Sequence, residues 1–251
     1  ELASLWWAAS MVGAQNQRFS EILRQRVMDQ IQNFSFDELL VVIWGAACGL
    51  TQEECAVQIA FQKEFADRLA NFDWADLPPR FRHKIALDAI GSLWACTFSH
   101  SLTSDGFHRI RAALQRLGGF LDQPDHAISC PLPHLESSLI SSLWAPHIVM
   151  DAGDRLVLFK PPNWEVHDAN SELQLANFMK AMFGPLRILK DEDHEHGFLH
   201  RLDVPSSGLI LAAKSFESYY DLQVQLVTRE VPRDYLVLSH GWIPTDLAEI
   251  T

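Results

Sequence analysis

Asp122 to Ser142 carries three prolines, Pro124, Pro131 and Pro133, among several serines, and this stretch decides how the rest of the chain can be organised. Proline fixes φ and removes a backbone donor, so long helices are not expected there. The period of the chain changes across it. Before it, apolar residues recur at helical spacing; after it, short apolar runs are punctuated by turn residues. The pattern predicts an α+β chain, with an α-helical part over 1–121, a linker over 122–142 and a part built on a mixed sheet over 143–251. A length of 251 residues is enough for one large domain or two ordinary ones.

Three segments of the helical part resemble one another. They are Leu2 to Ser10, Phe36 to Ala47 and Leu87 to Cys96, each with a leucine or isoleucine one helical turn ahead of a tryptophan and small residues nearby. Trp7, Trp44 and Trp94 are the matched positions. Their spacing suggests stacked helical hairpins of roughly 40 residues. Helix starts are expected at Ser20-Glu21, at Ser35 with Glu38 in capping-box spacing, and at Thr51 with Glu54. Leu77-Pro78-Pro79 should break the pattern ahead of a helix over 81–95, and Gly118-Gly119 should end the last helix. The segments resemble the helical repeats of octotricopeptide and FAST-kinase-type organellar RNA-binding proteins. An ordinary bundle with tryptophan in its core fits the same residues.

The chain holds 20 Lys+Arg against 32 Asp+Glu, a net charge of −12, and neither half is basic. This counts against broad nucleic-acid binding, which needs cations for phosphate, although a local basic groove remains compatible. Cys48, Cys55, Cys96 and Cys130 form no C-x-x-C pair, so reduced, buried thiols of an intracellular protein are expected. No apolar run reaches the roughly 20 residues of a membrane span. The first residue is Glu1, which suggests a piece of a longer chain.

The chemistry concentrates in the second half. Arg155 to Phe159 reads as a strand ending at Lys160-Pro161-Pro162, and Ser171 to Phe183 as an amphipathic helix. Asp191 to Gly197 places His194 and His196 on either side of Glu195. Spacing supplies no third ligand, so this reads as a solvated acidic loop rather than a metal site. His200 to Gly208 reads as a loop that carries Asp203 beside the cation Arg201 and feeds an interior strand over 209–213. A helix over 216–227 follows, and then 229–238 turns into a further strand. Ser206 and Ser207 lack a G-x-S-x-G elbow, which argues against a serine hydrolase.

Four blocks in order resemble the RluA branch of the pseudouridine synthases: Pro146 to Asp151 with Arg155 to Pro161, then His167, then His200-Arg201-Leu202-Asp203-Val204-Pro205-Ser206-Ser207-Gly208, then Arg233-Asp234-Tyr235. Ser206 stands where threonine is usual and Arg233 where lysine is usual. The resemblance covers 146–251 and implies the first part of a pseudouridine synthase domain. It implies Asp203 as nucleophile in the isomerisation of uridine to pseudouridine in RNA, by attack on ribose C1′ or by removal of a sugar proton. It further implies that Arg201 holds or replaces the extruded base and that Tyr235 stacks on the uracil. His200 would orient the loop, and Lys160 would shape the turn beside the substrate. Ribosomal or transfer RNA is the implied partner, with no DNA or membrane partner and no metal or organic cofactor. The family's later block, with a basic residue that pairs with the aspartate, has no match before Thr251, so this segment alone is expected to be inactive or poorly folded at its end. The alternative is a catalytically inactive RNA-binding or scaffold protein that keeps the fold. The likeness of the helical segments hints at an organelle.

Overall fold

The computed structural model describes residues 1–13, 16–49, 52–123, 145–167, 171–184, 186–238 and 240–241. Six helices come first: α1 (Leu2–Met11), α2 (Gln17–Asp29), α3 (Phe36–Gly49), α4 (Gln52–Ala70), α5 (Pro79–Phe98) and α6 (Ser104–Asp122). The second half holds β1 (His147–Asp151), β2 (Arg155–Lys160), α7 (Leu175–Phe183), β3 (Gly208–Ala213) and α8 (Phe216–Val227). The fold is α+β, dominated by helix, with a small antiparallel sheet.

The helix starts follow local chemistry, with adjustments. Ser35 and Glu38 form the expected reciprocal box: the Glu38 N–H donates to Ser35 Oγ at 3.3 Å and the Ser35 N–H to Glu38 Oε2 at 2.9 Å. α2 begins earlier than expected, because the Asn16 side chain accepts from the Phe19 N–H at 3.1 Å. α5 starts at Pro79, where a missing N–H costs nothing. α7 starts at Leu175 rather than Ser171. Thr51 and most of the proline-rich stretch, with Cys130, lie outside the described residues.

The odd-numbered helices pack in series, α1 on α3 and α3 on α5, while α4 packs on α3 and α6. Gly45 allows the first of these approaches, whereas a side chain at Gly91 would make only ordinary contact. A Cβ at Gly45 would stand 2.8 Å from the Trp6 ring, and one at Gly91 would stand 3.5 Å from Leu40. Trp6 is the buried tryptophan of α1, its Nε1–H donating to the Val42 carbonyl at 3.1 Å. Of the matched tryptophans, Trp7 and Trp94 are each 44% exposed, while Trp44 is half-buried against the core with its ring 4.4 Å from that of Trp94. Cys96 is buried, which pushes its thiol up to about 12, while Cys48 is exposed, contrary to the expectation of buried thiols throughout.

The sheet has the order β1-β2-β3 with both pairings antiparallel. The expected mixed sheet is therefore absent among the described residues, where parallel pairing is confined to an isolated bridge from Glu165 to Gln174. β2 alternates strictly, turning Leu156, Leu158 and Lys160 inward. β3, whose apolar run predicts an interior strand, forms the end strand of the sheet. Ile210 and Ala212 are buried while Leu209 is 58% exposed, and β3's isolated bridge from Ala212 runs to Phe198.

α6 does not stop at Gly118-Gly119 but runs through both to Asp122. The reason is α8. A Cβ at Gly118 would stand 2.3 Å from Glu217 Cα and 2.5 Å from Glu217 N, so this glycine lets the two helices meet backbone to backbone. Asp122 then caps α8 across the contact, Oδ1 accepting from the Phe216 N–H at 2.9 Å and Oδ2 from the Glu217 N–H at 3.0 Å. Buried Asp221 on α8 joins three elements. It accepts from Arg111 Nη2 of α6 at 2.6 Å, from Arg155 Nη1 of β2 at 3.1 Å and from Gln225 Nε2 at 2.8 Å. One apolar core thus runs from Leu114 and Leu117 through Phe216 and Tyr220 to Leu156, Leu158 and Ile210.

Candidate active site

The His200–Gly208 loop is built from β2 upward. The inward phase of β2 carries Lys160 into the core with no exposed surface. A buried ammonium needs acceptors. Lys160 finds them in the loop: Nζ donates to the Ser206 carbonyl at 2.6 Å, the Val204 carbonyl at 3.2 Å and its neighbour Pro161's carbonyl at 3.3 Å. Burial lowers the Lys160 pKa, and the nearby Asp203 carboxylate acts in the opposite sense. The turn after Lys160-Pro161-Pro162 adds a strut. Asn163, at φ 69°, donates its N–H to the Val204 carbonyl at 2.7 Å.

The loop is also closed on itself. The Ser206 N–H donates to the Asp203 carbonyl at 3.0 Å, which leaves the Asp203 side chain at the exposed surface. On the incoming side, the Leu199 N–H donates to the Leu211 carbonyl at 3.2 Å, and the Leu211 N–H donates to His200 Nε2 at 3.2 Å. His200 therefore accepts on Nε2, and its neutral form carries the proton on Nδ1. Burial lowers its pKa, and the charge of Arg233 lowers it further. Arg201 is exposed on the same loop.

The expected strand within 229–238 is not formed. This segment is irregular and exposed, with Tyr235 at 63% and Leu236 and Leu238 fully open, since no described strand lies beside it to accept its hydrogen bonds. The structure thus gathers Lys160, His200 and Asp203 around one loop, while Arg233 and Tyr235 stand on the exposed segment after α8.

Residues 154–250 match the RNA pseudouridylate synthase family. Over 93 residues the chain is 37% identical to an uncharacterized RNA pseudouridine synthase of Helicobacter pylori (strain J99), covering 36% of this chain and 28% of that protein. It is 30% identical over 99 residues to ribosomal large subunit pseudouridine synthase D of Nitrosomonas europaea, covering 39% and 28%. It is 30% identical over 127 residues to an uncharacterized RNA pseudouridine synthase of Bacillus subtilis, covering 49% and 42%. The chain therefore spans less than half the length of these curated relatives. No solved structure matches it. These likenesses support the family that the ordered blocks suggest.

The acidic stretch before the loop is less solvated than expected. His194 is 4% exposed, with Nε2 2.9 Å from the Tyr220 hydroxyl and Nδ1 3.0 Å from Asp191 Oδ1. His196 Nδ1 lies 3.0 Å from the Leu189 carbonyl, and His167 Nε2 lies 3.2 Å from Glu195 Oε2. No group of three or more metal-ligating side chains stands together among the described residues. Surface pockets of 580 and 590 Å³ lie on the helical part, around Leu5 and Phe34 and around Met11 and Arg24, and neither is lined by the loop.

Sequence reasoning missed Asn163, Asp122 and Asp221, which act through contacts between distant segments. Burial of Lys160 had a local signal, since it stands two and four residues after the inward Leu158 and Leu156.

Proposed function

We propose that this chain carries the nucleophile-bearing part of an RNA pseudouridine synthase, an isomerase, with Asp203 as the nucleophile. The observation that carries the reading is the Asp203 loop itself. Its carboxylate is exposed while the backbone on its far side is fastened to a buried cation by two carbonyl contacts. A carboxylate on a rigid loop is suited to meeting a substrate that arrives from solvent, because its position is set beforehand. Asp203 would attack ribose C1′ or remove a sugar proton, in either case with cleavage of the N1–C1′ bond; the uracil would turn, C5 would bond to C1′ as the aspartate leaves or the sugar proton returns, and C5 would lose its proton while N1 gains one.

On this reading Lys160 is a positioning residue that holds the loop, not a substrate contact. Arg201, exposed beside Asp203, would hold the extruded base, and exposed Tyr235 would stack on it for about 1–3 kcal/mol. His200 would orient the loop through the Leu211 N–H. The helical part is read as a repeat-like unit over 1–121; the serial packing of α1 on α3 and α3 on α5 supports this. RNA is the proposed substrate, and the name of the Nitrosomonas europaea relative makes ribosomal RNA the first to try.

The test is release of tritium from RNA labelled at uracil C5, incubated with the full-length protein. Asp203→Asn should lower release on the order of 1,000-fold or more without unfolding the protein. Equal release by the variant would remove Asp203 from the mechanism. No release by the unaltered protein on ribosomal or transfer RNA would favour an inactive RNA-binding protein instead.

A further inference from the structure

We propose that His83, on α5 of the helical part, is a positioning residue for the Asp203 loop and acts through His194. The inference rests on the reading of Asp203 as the nucleophile.

The segment leading into the loop is held in an unfavourable backbone. Glu195 (φ 50°), His196 (φ 53°) and Gly197 (φ 85°) are consecutive left-handed residues. Side chains disfavour that region, so it persists only where the surroundings impose it. The chain also passes hard against β3: a Cβ at residue 197 would stand 2.6 Å from the Ala213 carbonyl oxygen.

His194 anchors the start of this segment. Its N–H donates to Asp191 Oδ1 at 3.2 Å, and its ring sits edge-on among Phe216 at 4.8 Å, Tyr219 at 5.3 Å and Tyr220 at 5.5 Å, all on α8. His83 closes the box from the helical part, with ring centroids 5.2 Å apart and planes at 71°. Burial beside His194 lowers the His83 pKa, consistent with a neutral packing ring.

From His194 the connection to Asp203 is stiff. Phe198 bridges to Ala212, Leu199 donates to Leu211, and His200 accepts from Leu211. A shift of the His194 ring is thereby passed to the residues that deliver Asp203. Loss of the His83 edge opens one side of the box, frees His194 to move, and loosens the left-handed turn.

The test compares His83→Ala and His83→Phe in the full-length protein. His83→Ala should lower kcat for pseudouridine formation about tenfold with KM within twofold, and should speed amide exchange at Leu199 and Leu211 about tenfold. His83→Phe, which restores an aromatic edge, should return both within twofold. If His83→Ala does not fold, His83→Leu takes its place, because it keeps volume without a ring edge. Unchanged exchange at Leu199 and Leu211 in a folded variant overturns the link. Accelerated exchange with unchanged kcat overturns the positioning role. Accelerated exchange when the unaltered protein has no turnover supports the link and places the failure in the reading of Asp203.

Discussion

The helical part and the sheet part obtain their burial in different ways. In the first, each helix finds apolar partners among its neighbours; Val42, Ile43, Phe61, Phe65 and Leu93 are fully buried by helices of the same part. The sheet part is thinner. Its strands β2 and β3 offer Leu156, Leu158, Ile210 and Ala212 as an inner face, α8 lies over it, and α8 in turn packs on α6. The half that carries the chemical motif thus depends on the half that carries none. Substitutions at the α6–α8 contact should reach the Asp203 loop although they stand far from it in sequence.

Paired substitutions on α6 test that dependence most severely. Gly118→Ala places a methyl within 2.3 Å of α8 backbone, which cannot yield as a side chain would. The helices must separate, at a cost of about 3 kcal/mol even after the better helix propensity of alanine. At Gly119 the nearest atom is the end of the Glu217 side chain at 3.9 Å, so Gly119→Ala should stabilise by up to about 1 kcal/mol. Denaturant unfolding of the two variants checks this. Similar values for both would mean that the two halves do not meet as described.

Asp221 tests the polar side of the same contact. Its carboxylate is 11% exposed, while Arg111 and Arg155 are 31% and 26% exposed, so solvent screens part of the interaction. Asp221→Ala should cost roughly 2 kcal/mol, below the 3–5 kcal/mol of a fully buried pair left unpaired. Asp221→Asn, which keeps an acceptor, should cost less. A double-mutant cycle with Arg111→Met should show coupling of about 1 kcal/mol or more; additive losses would mean that the bridge between the halves contributes nothing.

Legibility in sequence follows the same divide. The helices of the first half could be read from periodicity, and Ser35 with Glu38 marked one start correctly, because capping is local chemistry. Gly118-Gly119 misled, since glycine serves both helix ends and close approach, and the second use depends on a helix about 100 residues away. Trp7 was matched with Trp44 and Trp94 by spacing, but the buried ring is Trp6, and only the packing of α1 on α3 decides between adjacent tryptophans. In the second half the motif residues gave the loop, β2 and α8. The expected strand through Tyr235 failed because a strand needs a neighbour, and local residues do not specify one. The inward turn of Lys160 can be counted from Leu156 and Leu158, but the loop carbonyls that make burial of its charge tolerable come from residues more than forty positions away.

Asp122 gives the smallest expected effect and the cleanest division of labour. The start of α8 is capped twice, by groups from both halves. Ser215 accepts from the Ser218 N–H at 3.1 Å, a local box, while Asp122 takes the Phe216 and Glu217 N–H groups from across the α6–α8 contact. The two caps satisfy different donors, so neither can replace the other. Asp122→Ala should therefore cost about 1 kcal/mol, Ser215→Ala a similar amount, and the double variant close to their sum. Part of the Asp122 contribution is the attraction of a carboxylate to the positive end of the helix, so it should shrink in high salt while that of neutral Ser215 does not. A salt-independent loss at Asp122 would reduce its role to hydrogen bonding alone. No loss at all would mean that water serves these donors equally well, and that α6 supports α8 through packing without capping it.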